Sequence, residues 1–230
     1  METHDEERMN THELLPQLSP AGSFDAVILA NGDYPSSPLV LGMLNAAPFV
    51  VCCDGAFRRY MAGGRRPAAI VGDGDSTTPA ERVQTRGLFH HVEEQDDNDL
   101  TKAVRYALSQ GKRRLLLLGT TGKREDHTLG NISLLAHYFR QGIDAAILTD
   151  HGLFRMYRGD GEFGSFPGQQ VSVFNFGCTR LQSEGLKYPL YPLSELWQGT
   201  LNEAVGDSFS IRANGDYLLF FVTGKKTIHN

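Results

Sequence analysis

Between Phe24 and about Asp150 the chain repeats one pattern, a short apolar run, a turn and then an amphipathic stretch. The runs are FDAVILAN, PFVVCCD, AAIVGD, RLLLLGTT and DAAILTD. Each is short enough for a buried strand and apolar along its whole length rather than alternating. Strands of that kind need cover on both faces, which helices crossing between parallel strands supply. The pattern predicts an α/β fold with a parallel sheet, whose ligands bind beyond the carboxyl ends of the strands. Four of the runs end in a polar residue placed to face that crevice: Asn31, Asp54, Asp73 and Asp150.

After about His151 the rhythm changes. LFRMYRGDGEFGSF reads as a hairpin around Gly159 to Gly161, and QQVSVFNF and DSFSIRANGDYLLFFV are rich in β-formers separated by turn residues. No long helix is expected there. The predicted organisation is a polar tail over 1–22, an α/β domain over 23–150 and a small all-β, sandwich-like domain over 151–230. A β domain of about 80 residues buries little surface alone, so packing against another domain or subunit is expected to support it.

Composition removes several classes of function. The net charge is -5 and the pI about 5.9, with no concentrated basic face for nucleic acid. The first residues, METHDEERMNTHELLPQLSP, are polar and acidic and lack the pattern of a secretory signal, and no run is long enough for a membrane span. The three cysteines, an odd number with two adjacent, suggest no disulfide framework, and a reduced, cytoplasmic protein is expected.

Two helices can be read in detail. In NDLTKAVRYALSQG, Leu100, Ala103, Val104, Ala107 and Leu108 share one face, with Asp99 in the first turn and Gly111 as a stop. In DHTLGNISLLAHYFRQG, Ile132, Leu135, Ala136 and Phe139 form the apolar stripe, while His127 and Asn131 share another face. Asp126 is the expected cap of this helix and Gly142 its end.

Three segments carry chemistry. In GDGDS, Asp73 and Asp75 project to the same side if strand geometry persists through Gly74. Two crowded carboxylates repel unless a cation holds them, and Mg²⁺ takes carboxylates completed by water and substrate phosphate. An Asp/Gly-rich turn capped by Ser76 fits the same residues. EEQDDNDLTK places Asp99 and Lys102 three apart on a helix, as a metal ligand and a phosphate partner or as a weak surface ion pair. Asp96 and Asp97 read as solvated acids at a helix start. GTTGKREDHTLGN runs from a strand into a helix, where backbone N–H groups and Lys123 and Arg124 favour phosphate. It lacks the Walker A arrangement.

In this order the segments resemble thiamin pyrophosphokinases, whose successive motifs are Asp-Gly, Gly-Asp-x-Asp-Ser, Gln followed by Asp-x-x-Lys, and Asp-His-Thr-x-x-Asn. Here they stand as DGA at Asp54, GDGDS at Gly72 to Ser76, QDDNDLTK at Gln95 to Lys102 and DHTLGN at Asp126 to Asn131. The similarity extends into GLKYPL at Gly185 to Leu190 and GTLNEAVG at Gly199 to Gly206. The resemblance implies transfer of a diphosphoryl group from ATP to the hydroxyl of thiamin, giving thiamin diphosphate and AMP. It also implies a nucleotide-binding α/β domain followed by a β-sandwich, in a homodimer with the thiamin pocket at the subunit interface. Asp73, Asp75 and Asp99 match the family's acidic Mg²⁺ cluster, and Asp54 lines the same phosphate region. Gln95 matches a glutamine near thiamin, and Lys102 a phosphate partner. Arg124, Asp126, His127, Thr128 and Asn131 match the nucleotide-binding turn.

Two departures stand out. The family usually reads Gly-x-Ser-Asn where this chain has Gly199, Thr200, Leu201 and Asn202; the serine contacts thiamin, and Thr200 or a water would have to replace its hydroxyl. Gly74 stands where a bulky apolar residue is common. Trp197 and Phe220 can stack on a thiamin ring or pack in a β core, and the core is the commoner place for aromatics. Cys52 and Cys53 read as buried packing residues, and His90 and His91 as part of a strand or its edge. Two rival functions remain: a metal-dependent nucleotide-sugar transferase, which leaves DHTLGN without a role, and a non-catalytic thiamin or nucleotide sensor, expected to have lost acidic ligands.

Overall fold

In the computed structural model, which describes residues 24–75, 77–92 and 97–224, all five apolar runs are strands. They are β1 (Ala26–Leu29), β2 (Val50–Cys53), β3 (Ala69–Gly72), β5 (Arg114–Leu118) and β6 (Asp144–Leu148), joined by a short β4 (Phe89–His91). The order is β6-β5-β1-β2-β3-β4 with every neighbouring pair parallel. His90 and His91 lie on β4, as expected. All residues of β1, β2 and β3 are buried, as are Leu115 to Leu118 of β5. Each fully buried leucine stabilises by about 1.5–3 kcal/mol.

The parallel run ends at a two-residue loop, Asp150 and His151. Thr149 and Gly152 exchange backbone bonds across it, and β7 (Gly152–Arg158) returns antiparallel to β6. So short a loop cannot make a parallel crossover, and the large sheet is mixed.

The helices are α1 (Pro38–Ala46), α2 (Ala56–Ala62), α3 (Pro79–Gln84), α4 (Asp99–Ser109) and α5 (Glu125–Arg140). Helix α4 starts where the sequence places it, with the Asn98 side chain accepting the Thr101 N–H at 2.9 Å. Asp126 is not the cap of α5: Arg124 holds the cap position without a side-chain cap bond, and Asp126 lies in the first turn, where its carboxylate accepts the neighbouring His127 N–H at 2.9 Å. Gly142, at φ +75°, follows the last turn as anticipated. Buried Thr101 and Tyr138 join α4 to α5 through a 3.0 Å hydroxyl contact.

From β1 the chain builds β2, β3 and β4 to one side and then returns to β5 on the other. The loops leaving β1 and β5 therefore diverge above adjacent strands, the usual place for a crevice. They are laced together by Gly32 N–H to Gly119 O (2.7 Å) and Asp33 N–H to Thr121 O (2.8 Å). A side chain at Gly32 would put Cβ 2.3 Å from Thr121 O, so this approach requires glycine.

A second compact unit begins at Tyr157. Its strands β13 (Asp216–Val222), β9 (Gln170–Asn175) and β11 (Asn202–Glu203) follow β7 in that order in one sheet. The other runs β10-β12-β8, with β10 (Leu181–Glu184), β12 (Ser208–Ala213) and β8 (Gly161–Gly164). The turns at Gly159 and Asn214 do not close hairpins: β7 and β8, like β12 and β13, belong to different sheets. Each turn carries the chain from one layer to the other, so Phe163 and Phe209 of one sheet meet Phe221 of the other at 6.1 and 6.2 Å between ring centroids. Trp197 lies outside this core on a single 3₁₀ turn (Leu196–Gly199) and is 72% exposed, contrary to the expectation that it packs inside.

Candidate active site

Above the ends of β1, β2, β3 and β5 lies a cleft of about 460 Å³. Asn31, Asp54, Asp73, Asp99, Lys102, Arg124, His127 and Asn131 all line it. The strand ends deliver Asn31, Asp54 and Asp73; the first turn of α4 delivers Asp99 and Lys102; the β5 turn and α5 deliver the rest. His127 and Asn131 reach the cleft together because four residues make about one helical turn.

Asp75 does not join them. β3 ends at Gly72, and Gly74 takes φ +73°, turning the chain so that Asp75 is exposed and absent from the cleft lining. The Asp73 carboxylate accepts the Asp75 N–H at 3.1 Å, and Thr77 bonds Gly74 O at 2.6 Å through its hydroxyl. The extended geometry needed to aim both carboxylates the same way stops one residue too early. A Cβ on Gly74 would meet the Phe89 ring at 3.2 Å.

The carboxylates of the cleft feel one another. Burial raises the Asp99 carboxyl above its ordinary range, Lys102 pulls it back, and Asp73 and Asp54 push it up further. Lys102 is buried, with Nζ 3.8 Å from Asp99 Oδ1 and 3.4 Å from Val92 O. Asp54 is also buried. No three His, Cys, Asp or Glu residues among those described stand close enough to hold a metal by themselves.

The turn after β5 is arranged by polar contacts. Asn131 donates to Thr120 O at 2.7 Å and accepts from Asn98 at 3.3 Å, tying α5 to the β5 turn and to the cap of α4. Arg124 binds Asp126 through two bonds, at 3.1 and 2.5 Å, and its guanidinium holds that carboxyl below its usual range. Thr128 is half-buried in the first turn of α5. Lys123 Nζ donates to Asn31 O at 2.6 Å and to Asn31 Oδ1 at 3.0 Å. Asn98 and Thr120 also line the cleft, and neither stands out in the sequence as more than a helix cap and a turn residue. Gln95 lies outside the described residues, as do Asp96, Ser76 and the tail over 1–22.

In the second unit, Asn202 is buried and its amide is engaged with the Tyr188 backbone, accepting from N–H at 3.0 Å and donating to O at 2.7 Å. It pins the Tyr188 segment to β11. The Thr200 hydroxyl donates to Trp197 O at 2.7 Å, so its proton is committed locally. Leu201 is exposed, in the left-handed region at φ +61°, and its N–H reaches Ser172 Oγ at 3.3 Å.

The family model described as "Thiamin pyrophosphokinase, catalytic domain" matches residues 41–147, and "Thiamin pyrophosphokinase, substrate-binding domain" matches 152–220. The thiamine pyrophosphokinase of Bacillus subtilis (strain 168) is 27% identical over 172 residues, 71% of this chain and 80% of that protein. The crystal structure of the Bacillus subtilis thiamine pyrophosphokinase superposes with TM-score 0.71 at 23% identity, covering 86% of this chain and 98% of that one. The yeast thiamin pyrophosphokinase gives TM-score 0.74 at 18% identity, covering 94% and 90%. At such identities the structures establish a shared fold. With the two family matches in tandem over both halves, the chain belongs to the thiamin pyrophosphokinase family.

Proposed function

We propose that this chain transfers a diphosphoryl group from ATP to the hydroxyl of thiamin, yielding thiamin diphosphate and AMP. The observation that carries the reading is the single cleft at the strand switch point, with Asp54, Asp73 and Asp99 facing Lys102, Lys123 and the turn into α5. The thiamin oxygen forms a bond to the β phosphorus while the bond from that phosphorus to the oxygen bridging to the α phosphorus breaks, and AMP departs with that oxygen. Little covalent work falls to the protein; its residues hold oxygen and phosphorus nearly in line and balance charge. Lys102, Arg124, His127, Thr128 and Asn131 hold the nucleotide, with Asn31 at the mouth. Asp73 or Asp99 takes the hydroxyl proton.

The donor set fits Mg²⁺. Asp73, Asp99 and Asp54 are hard oxygen donors; burial raises the Asp99 carboxyl and repulsion from Asp73 and Asp54 adds to that, and Mg²⁺ commonly takes one or two carboxylates with water and substrate phosphate completing the shell. When bound, the ion neutralises phosphate charge. Asp75, on the outer side of the turn, supplies the N–H that orients Asp73.

In the second unit, Thr200 and Asn202 shape the thiamin-binding turn with Leu201. Tyr188, Tyr191, Leu196, Trp197, Leu201 and Val205 are exposed within one short stretch of sequence, which supports a homodimer whose interface carries the thiamin site. Three buried, free cysteines suit a cytoplasmic protein, and no helix among the described residues is long and apolar enough to cross a membrane.

The test is a product assay with ATP, Mg²⁺ and thiamin. Equimolar AMP and thiamin diphosphate are expected; ADP, or no product from folded protein, overturns the reading.

A further inference from the structure

Two non-glycine residues among those described have positive φ, Lys123 at +58° and Leu201 at +61°. Strained backbone of this kind gathers at ligand sites, where the rest of the structure enforces it. Lys123 sits in the β5 turn between Gly122 and Arg124, at the rim of the cleft. The turn is already closed on the β1 loop without its side chain, by Gly32 N–H to Gly119 O and Asp33 N–H to Thr121 O. Gly122 packs so tightly against Asp33 that a Cβ would fall 2.0 Å from Oδ2. Glycine at 123 would meet the backbone requirement with no steric cost, so the lysine side chain calls for another explanation.

Its partners suggest one. The cationic side chains lining the cleft are Lys102, Lys123 and Arg124. Lys102 is buried beside Asp99, and Arg124 is bound by the Asp126 carboxylate. The hydrogen bonds of Lys123 go instead to the carbonyl and amide oxygens of Asn31, both neutral. Those bonds carry a charge on the donor alone; a phosphate oxygen puts charge on the acceptor as well, so it binds the ammonium more strongly and displaces them.

We propose that Lys123 is a substrate-binding residue that contacts the outer phosphates of ATP, and that Asn31 parks its ammonium at the cleft mouth until the nucleotide binds. The inference rests on the reading of this cleft as the ATP site. It accounts for a lysine in glycine's conformation: the left-handed turn aims the side chain back over the β1 loop, where Asn31 can catch it.

The test compares wild type with Lys123→Gly and Lys123→Arg. Lys123→Gly is expected to melt at the wild-type temperature or above, because glycine takes this φ freely. By calorimetry it is expected to bind ATP at least about tenfold more weakly, and AMP, which lacks the outer phosphates, within about twofold of wild type. Lys123→Arg is expected to recover most of the ATP affinity. In turnover, KM for ATP rises in Lys123→Gly while KM for thiamin holds. Wild-type ATP affinity in Lys123→Gly overturns the inference, as does an equal loss for AMP, or a wild type that binds no ATP. A wild type that binds ATP but forms no thiamin diphosphate refutes the proposed activity alone, and the calorimetric comparison still decides the role of Lys123.

Discussion

Asp73 stands one residue past the end of β3, where the backbone has just left the sheet and its side chain faces the cleft. Its carboxylate has two jobs, presenting charge to the cleft and accepting the Asp75 N–H at 3.1 Å. Asparagine preserves the second, since its amide oxygen still accepts. Asp73→Asn is therefore expected to lower kcat by at least about a hundredfold with little change in melting temperature. Near-normal turnover at limiting Mg²⁺ would remove Asp73 from the metal site. Asp54, Asp73 and Asp99 were all readable as strand-end or helix-start acids. The fate of Asp75 was not, because it depends on the φ of Gly74, and an Asp-Gly-Asp string is compatible with both an extended strand and a turn.

Among the elements, α4 and α5 were the most legible, since each carries an apolar stripe at helical spacing over several turns. The six-residue α3 has no buried residue and so no such stripe; it is held by a capping box and by Arg58 from α2, whose Nε lies 2.5 Å from Glu81. The Arg58 guanidinium, with the Thr78 N–H, pulls the Glu81 carboxyl down to about 2. A carboxyl depressed on folding contributes stability that is full above its unfolded pKa of about 4.3 and is lost as pH falls toward the folded value. The melting-temperature gap between wild type and Glu81→Gln is thus expected to be constant near neutrality and to close between about pH 4.3 and pH 2. A gap that persists at pH 2 would assign the effect to packing. Where α4 meets α5, Tyr138→Phe strips Thr101 of its buried hydroxyl partner and is expected to cost about 1–2 kcal/mol in urea denaturation. An unchanged midpoint would show that Thr101 finds another partner.

For the whole molecule, the second unit leaves Trp197, Leu201 and Val205 more than half exposed while burying Phe163, Phe209 and Phe221 between its sheets. Apolar side chains gathered on one short segment suit a protein partner, which in the proposed homodimer is a second copy of the chain. Sedimentation is expected to give twice the 25.4 kDa chain mass, and Trp197→Glu to give the monomer with turnover lost. A dimer unaffected by that substitution would place the interface elsewhere. The two-sheet arrangement was only partly legible: β-rich composition announced strands, yet GDG reads as a hairpin turn when it joins two layers, as the turn residues of ANGD also do. Turn residues report that the chain reverses; which strand then pairs with which depends on hydrogen bonds to segments far along the chain.

By itself the sequence determined the layered α/β half, because fully apolar runs alternating with helical stretches bury their surface in few other ways, and ordered motifs identified the family. Only the tertiary structure decided which acids share a cleft, how Lys123 and Leu201 bend their backbone, and that Trp197 faces outward. These depend on single dihedral angles and on contacts between distant segments, for which residue type sets a preference and the packed chain sets the outcome.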